Sequence, residues 1–447
     1  MSSRRDFIKK AAATTAGVSM AFKASASSYS RIIGANDRIN LCFMGLGRRV
    51  GAYYDGLDKE HNTHLQYLCD VKRSQIDRAL KNLKGRIDYT PQQTDNIRQV
   101  LDDSEVDAVF IAAPDHWHAP GAIMALDAGK HVYVEKPCAH NPQEAEVMVA
   151  KQKATGKVVQ MGNQQRSSGH TIEIINEIHN GVIGKPYRAV AFYNNRRGEV
   201  PQQKKQAPPS DLNWDLFQGP APRQDYYDDI WNYNWHWYGW KWGTAEAGNN
   251  AIHELDIARW ALQVDYPEHV HVDASKQHFS DDGWEMYDNM YATFNFDNDR
   301  VINWDGKSRN GYPTYGEGKG RGTVIYGTEG AVFVDRGEYM LYDRRGDLIK
   351  RTSEASDEGG LALGGGGSTS TRHIVNFFDT IRGQGELTAP IEDGAKSNHL
   401  ALLANIAYRT NSAFDVDSAT GRAYDKEAMQ LWSREYEPGW EIGQMKS

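Results

Sequence analysis

Lys136 stands between Glu135 and Pro137 at the end of an apolar run, and His253 precedes Asp256 by three positions in a segment of helical periodicity. An amine and an imidazole are suited to holding or moving a proton at a reacting oxygen near neutral pH. Three positions apart on a helix, His253 and Asp256 share a face, so the carboxylate could orient the ring or support its charge. A second polar cluster, Pro114-Asp115-His116-Trp117-His118, closes another apolar run. Each has a bland alternative: Lys136 as a surface ion pair with Glu135, and His253 as a packed helical histidine.

The elements carrying these residues begin with 38–44, a short buried strand that stops at Gly45-Leu46-Gly47, as central strands of parallel sheets do. Such a turn lets the backbone approach a pyrophosphate, and unpaired N–H groups of the following helix favour its negative charge. The third glycine of a GxGxxG pattern would fall at Val50, with Gly51 one place late. A second strand, 64–68, ends in Cys69-Asp70. An acidic residue there hydrogen-bonds the ribose hydroxyls of NAD, with a helix N-cap as the alternative. Lys72 and Arg73 follow and would suit a 2′-phosphate, so NAD is expected while NADP stays open. A strand at 106–113, a helix at 121–128 and a strand at 130–134 continue the alternation. That alternation requires a parallel sheet with right-handed crossovers, whose ligands lie beyond the strands' carboxyl ends. Both polar clusters lie there.

After Met161 the pattern changes. Residues 184–194, 290–296, 300–304, 322–326 and 331–334 alternate as strands, with helical returns at 372–382 and 396–410. The expectation is an α/β Rossmann domain with a parallel sheet over 38–161, then an α+β domain over 162–447 with an open, largely antiparallel sheet. Residues 354–367 lack periodicity and read as a surface loop. Trp231, Trp235, Trp237, Trp240 and Trp242 interleave with Tyr233, His236 and Tyr238. Clustered rings offer flat faces to sugar C–H groups, and packing at a domain junction or subunit contact explains them equally. Both uses are expected, with some rings touching ligand.

Gly45-x-Gly47, Pro114-Asp115-His116-Trp117-His118, Glu135-Lys136-Pro137, Gly162-Asn163-Gln164 and His253-x-x-Asp256 together resemble, in order and spacing, the Gfo/Idh/MocA oxidoreductases. The resemblance implies a nicotinamide-dependent dehydrogenase of sugars or polyols, often a homo-oligomer, with an open second sheet covering the nicotinamide. It implies that Lys136 lies close to cofactor and substrate and that His253 is catalytic. Lys136 would bond the reacting hydroxyl and His253 would receive its proton. Many relatives carry aspartate where this chain has Asn249, which can hold a substrate hydroxyl but cannot accept a proton at neutral pH. Glu254 or solvent would then have to compensate. The expected catalytic residues are Lys136, His253 and Asn249. Those expected at the cofactor are Gly45, Gly47, Arg48, Arg49, Asp70, Pro114, His116, His118, Glu135, Lys136 and Gln164. Those expected at the substrate are Arg166, Tyr193, Trp235, Trp240, Asn249 and His253, with Asn194 and Arg196 as further candidates.

With 447 residues, 25% charged and 40% apolar, the chain has a globular balance and room for two domains. A net charge of -8 supplies no long-range attraction for nucleic acid or anionic lipid, so a small carbohydrate is the expected partner. No run past the amino terminus approaches the ~20 apolar residues of a membrane span. Residues 1–26 read as a twin-arginine export signal: Arg4-Arg5 in a basic segment, an apolar run to Phe22, and Ala24-Ser25-Ala26 as cleavage site. Residues 27–37 would be a linker and the destination periplasmic, with an ordinary basic first helix as the alternative. Cys42, Cys69 and Cys138 have no metal-ligand spacing. Cys42 and Cys69 are expected as packed thiols, and neither a disulfide framework nor a metal is expected.

Two rival functions fit the same residues. A glycosidase would use bound NAD to oxidise a sugar hydroxyl transiently, eliminate the glycosidic oxygen and return the hydride, a route the resemblance permits. Export favours it because free NAD is scarce there, although a tightly held cofactor cycling between two sugars fits as well. A non-catalytic sugar-binding protein would account for Val50 and Asn249, but Glu135-Lys136-Pro137 and His253 argue against it.

Overall fold

Short, almost wholly apolar runs bury on both faces only when helices cover them, and such runs build the core of the first sheet. In the computed structural model, which describes residues 37–231, 233–315, 318–353 and 368–442, the sheet comprises β1 (Ile39–Met44), β2 (Thr63–Cys69), β3 (Gln92–Thr94), β4 (Ala108–Ile111), β5 (His131–Val134) and β6 (Val159–Met161). Their order is β3-β2-β1-β4-β5-β6. β1 pairs with β4, β4 with β5, β5 with β6 and β2 with β3, each parallel. The strand order reverses between β1 and β4, which opens a crevice at their carboxyl ends. The export signal of residues 1–26 and the loop of 354–367 lie outside the described residues.

Crossovers are made by α1 (Arg73–Leu83), α2 (Ile97–Leu101), α3 (Asp115–Asp127) and α4 (Pro142–Thr155). The segment after the glycine turn is a 3-10 helix, Arg49–Leu57, rather than an α-helix. α3 begins at Asp115 rather than at residue 121, so Asp115-His116-Trp117-His118 form a helical turn instead of a strand-end loop. Pro120 inside it offers no N–H to the His116 carbonyl one turn back. That oxygen accepts a 2.7 Å hydrogen bond from Arg434 instead.

The second sheet comprises β7 (Pro186–Asn194), β8 (His269–Ser275), β9 (Asn289–Asn295), β10 (Val301–Lys307), β11 (Arg321–Gly327), β12 (Gly330–Val334), β13 (Glu338–Asp343), β14 (Leu348–Ser353) and β15 (Phe414–Asp415). Their order is β14-β13-β12-β11-β7-β10-β9-β8-β15. β7 and β10 run parallel, and the other neighbours antiparallel. α5 (Ile252–Leu262) joins the two cores: Leu255, Ala258 and Leu262 pack with the second sheet, and Ile252 with the first.

Late segments return to the first sheet. α6 (Ser368–Ile381) sets Phe377 and Phe378 against Phe110, and Phe377 against Tyr133. Trp440 meets Trp117 edge-on. α7 (Ile391–Thr410) contributes Ile391 and Ala395 to the first core and Leu400 and Leu403 to the second. A boundary at 161/162 therefore separates the sheets but not the packing, and Asn40–Ser447 form one compact unit. Cys42, Cys69 and Cys138 are buried free thiols. No helix among the described residues is long and apolar enough to cross a membrane.

Candidate active site

At the carboxyl ends of β1, β4 and β5 a cleft of about 500 Å³ opens, lined by both halves of the chain. Gly45 has φ +84°, and a Cβ there would come within 2.5 Å of the Ala113 nitrogen, so glycine is what lets the turn lie against the end of β4. At Gly47 a Cβ would meet nothing within 4 Å. The N–H groups of Gly47 and Arg48 donate to no main-chain oxygen of the described residues. Free N–H groups beside open space suit a pyrophosphate. Val50, in place of a third glycine, is buried.

Asp70 also lines the cleft. Its carboxylate accepts from Leu46 N at 2.6 Å and Lys72 N at 2.8 Å, and the N-cap position of α1 belongs to Lys72. Burial pushes the Asp70 carboxyl up to about 6. Lys72 lies over the Trp231 ring at 4.8 Å, and Arg73 pairs with Asp77. With both cations engaged and a carboxylate at the end of β2, the site fits NAD better than a 2′-phosphate. Pro114 lines the cleft as the N-cap of α3. His118 is fixed with its ring nitrogens 2.6 Å from the Pro137 oxygen and 2.7 Å from the Ala113 oxygen.

Glu135 accepts from Arg49 at 2.6 Å, Tyr53 at 3.0 Å and Gln164 at 3.4 Å. Burial pushes its carboxyl up, but the Arg49 guanidinium outweighs that and holds it below the usual range. Gly162 leaves the necessary space, since a Cβ there would lie 2.8 Å from the Glu135 carboxylate. Lys136 consequently makes no surface pair with Glu135. Its Nζ donates to the Asn249 main-chain oxygen at 2.6 Å and lies 3.4 Å from Asn249 Oδ1. Burial lowers its ammonium to about 8, opposed by Asp115 and Glu135.

Asn249 belongs to a π-helical turn, Ala247–Ala251, that precedes α5, a widening often found at functional sites. Gly248 fits there because a Cβ would fall 1.8 Å from Thr244 Oγ1. Thr244 in turn holds the Asp115 carboxylate through its hydroxyl at 2.6 Å and its N–H at 3.0 Å. Tyr233 donates to Asn249 Oδ1 at 2.8 Å, so that oxygen already has a partner besides Lys136.

His253 lines the cleft. Burial, then Arg336, Lys136, Arg321 and Arg49, lower its pKa well below the ordinary value, so the ring is neutral. The expected support from Asp256 is absent. Asp256 accepts from Arg166 at 2.8 and 2.7 Å and from Ser397 at 2.6 Å, so the two residues share a helical face without a hydrogen bond between them. Glu254 is likewise committed, to Arg321 at 2.8 and 3.0 Å.

Five expected site residues lie outside the cleft lining: Arg166, His116, Trp240, Asn194 and Arg196. Arg166 is a buried structural residue, bound to Asp256 and Asp393 and outside the cleft lining. His116 turns into the core, where its Nε2 lies 2.8 Å from the Phe217 oxygen. Trp240 faces Tyr408 and Arg409 beside a separate, smaller cavity. Of the other rings, Trp231, Tyr233, Trp235 and His236 line the cleft, while Trp237 stacks on Trp284 at 3.8 Å and Trp242 is buried. Tyr193, Asn195 and Arg197 line it too, whereas Asn194 and Arg196 do not. The chain stays extended past β7, and its period of two selects the odd positions. Asn195 and Arg197 were thus readable from Tyr193. Arg321 and Arg336, also in the lining, belong to no motif.

A Rossmann sheet with an open glycine turn, facing a lysine and a histidine across one cleft, defines a dinucleotide-binding oxidoreductase. Residues 39–163 match the NAD-binding Rossmann-fold profile of the Gfo/Idh/MocA oxidoreductases, and residues 175–410 match that family's C-terminal alpha/beta domain. The chain belongs to this family. It is 29% identical over 208 residues to glycosyl hydrolase family 109 protein 1 of Shewanella sp. strain MR-4, covering 42% of this chain and 45% of that protein. The chain thus spans about half the length of the curated relatives it matches. Its fold is similar to that of the aldose-aldose oxidoreductase of Caulobacter crescentus complexed with glycerol (TM-score 0.62, 19% identity, 85% of this chain and 100% of that one). It is also similar to levoglucosan dehydrogenase complexed with NADH and levoglucosan (TM-score 0.62, 19% identity, 85% and 99%).

Proposed function

We propose that this protein is an NAD-dependent dehydrogenase acting on a hydroxyl or keto carbon of a sugar, glycoside or polyol. One observation carries the reading: Lys136 and His253 face the same cleft as the open Gly47 turn. When bound, NAD supplies the hydride acceptor. Gly47, Arg48, Asp70, Gln164 and Lys136 are the residues that would hold it. Lys136 donates a hydrogen bond to the reacting oxygen and stabilises the charge that grows there. His253, kept neutral by burial and its cationic neighbours, accepts the hydroxyl proton. Asn249 positions Lys136 through its main-chain oxygen. Trp235 and Tyr233 offer flat faces to a sugar ring. Glycerol and levoglucosan, held by the two fold neighbours, support this substrate class.

The second reading, a glycosidase working through transient oxidation and elimination, is supported by the glycosyl hydrolase name of the Shewanella relatives. One screen separates the two. NAD-loaded protein is offered free sugars, polyols and nitrophenyl glycosides while NADH absorbance and nitrophenol release are followed together. Net NADH formation from a free sugar supports the dehydrogenase. Nitrophenol release without net NADH supports the glycosidase, and neither signal from any compound sinks both. Export by the twin-arginine route, supported by Arg4-Arg5 and the apolar run behind it, and homo-oligomer formation belong to the same proposal. Cell fractionation and native mass spectrometry test them.

A further inference from the structure

Of the six lysine and arginine cations lining the cleft, three pair with carboxylates and two more have another partner. Arg49 pairs with Glu135, Arg197 with Glu246 and Arg321 with Glu254. Arg48 is exposed and lies over the Tyr233 ring, and Lys136 is held by Asn249. Arg336 differs. It lines the cleft from the turn between β12 and β13, partly buried, and no carboxylate of the described residues pairs with it.

Its neighbours explain why none does. Asp335 spends its Oδ1 on the N–H groups of Gly337 and Glu338, at 2.8 and 2.9 Å. Glu338 is held by Lys319 and Arg351. Glu254, the carboxylate that most favours charge on Arg336, has both oxygens on Arg321. The turn itself is fixed, because the Asp335 main-chain oxygen accepts from Gln165 at 3.0 Å and lies 3.0 Å from His170 Nε2. Arg336 is therefore carried on a braced element.

Burial, then the charge of Arg321, works against the Arg336 cation, yet a guanidinium stays protonated at neutral pH. A partly desolvated charge without a counterion is costly, and proteins normally match one. Its position decides what the counterion belongs to. Arg336 is the charged group acting most strongly on His253, ahead of Lys136, and it also acts on Lys136. It lines the cleft together with Lys136 and His253, from the second-sheet side, whereas the free N–H groups of Gly47 and Arg48 belong to the first.

Resting on the reading of this cleft as a sugar site, we propose that the substrate carries a monoanionic substituent, a carboxylate or a sulfate ester, and that Arg336 binds it. A planar guanidinium offers two parallel N–H donors to either group. The neutral sugar would leave Arg336 uncompensated, so the arginine selects sugar acids or sulfated sugars over their neutral parents.

The test uses the NAD-loaded protein and its Arg336→Gln and Arg336→Lys variants. The probes are glucose and galactose, their uronic acids, the methyl esters of those acids, and the 6-sulfates. Binding is read by calorimetry, turnover by NADH absorbance, and NAD affinity by quenching of tryptophan fluorescence. The wild type should bind at least one anionic form roughly 10–100-fold more tightly than its neutral parent, the usual scale for a charge-assisted pair. Arg336→Gln should abolish that preference and Arg336→Lys restore part of it, with NAD affinity unchanged. Tighter binding of uronates assigns a carboxylate, and tighter binding of sulfates a sulfate ester. No preference for any anionic form, or weakened NAD binding in Arg336→Gln, overturns the proposal. If anionic sugars bind through Arg336 without hydride transfer, the inference stands and the dehydrogenase reading falls. If acids and neutral parents bind and turn over equally, the inference falls and the dehydrogenase reading stands.

Discussion

The Lys136 ammonium lies 2.6 Å from the main-chain oxygen of Asn249. One hydrogen bond thereby ties the end of β5 in the first sheet to the π-turn that opens α5. The side-chain oxygen of the same residue is 3.4 Å away and is shared with Tyr233.

An acidic residue at this position would act on Lys136 electrostatically. In Asn249→Asp the carboxylate favours the charged ammonium, so the Lys136 pKa rises above about 8, the value set by burial. A rate that needs the protonated amine is full below that pKa and declines as pH rises through it. The basic limb of the kcat/KM profile should therefore move to higher pH in Asn249→Asp. An unmoved limb would show that another group titrates there.

The two turn glycines should respond oppositely to a methyl group. Gly45→Ala places a Cβ 2.5 Å from the Ala113 nitrogen at positive φ and should lower the melting temperature. Gly47→Ala meets no protein atom within 4 Å, so the melting temperature should hold while NAD affinity falls. Thermal melts with and without NAD separate these outcomes. Equal NAD affinity in Gly47→Ala and wild type would remove the turn from the cofactor site.

Arg166→Ala should behave as a stability variant. The guanidinium is buried against Asp256 and Asp393, and breaking such a pair costs about 3–5 kcal/mol. Urea unfolding should show that loss. If stability is retained and only the KM for sugar rises, Arg166 contacts substrate after all.

Much of this arrangement was legible in the sequence because local pattern and function coincide. β1, β2, β4 and β5 are largely apolar runs that end where the glycine turn or polar residues begin, so Gly45, Asp70 and Lys136 could be placed at strand ends from the pattern. Strands with weak apolar signals were not: β8 buries Val270 among exposed or half-buried neighbours, and β15 is two residues long. His116 and Trp240 look like site residues by composition, but helical phase and packing turn them away from the cleft. Arg166 follows a family motif, yet its partners lie on α5 and in the first turn of α7, and only the fold brings these together. Arg336 carries no local signal, since nothing in Asp335-Arg336-Gly337 says that a turn between strands will point across a cleft.

Lys136 and His253, in this mechanism, share the reacting atoms of one substrate beside NAD. Single-turnover kinetics of Lys136→Ala, with NAD saturating and a sugar the wild type oxidises, decide whether they do. Hydride transfer should slow by ~10²-fold or more, the scale of one acid-base or electrostatic group, with the melting temperature retained. Hydride transfer at the wild-type rate in that variant would refute the mechanism.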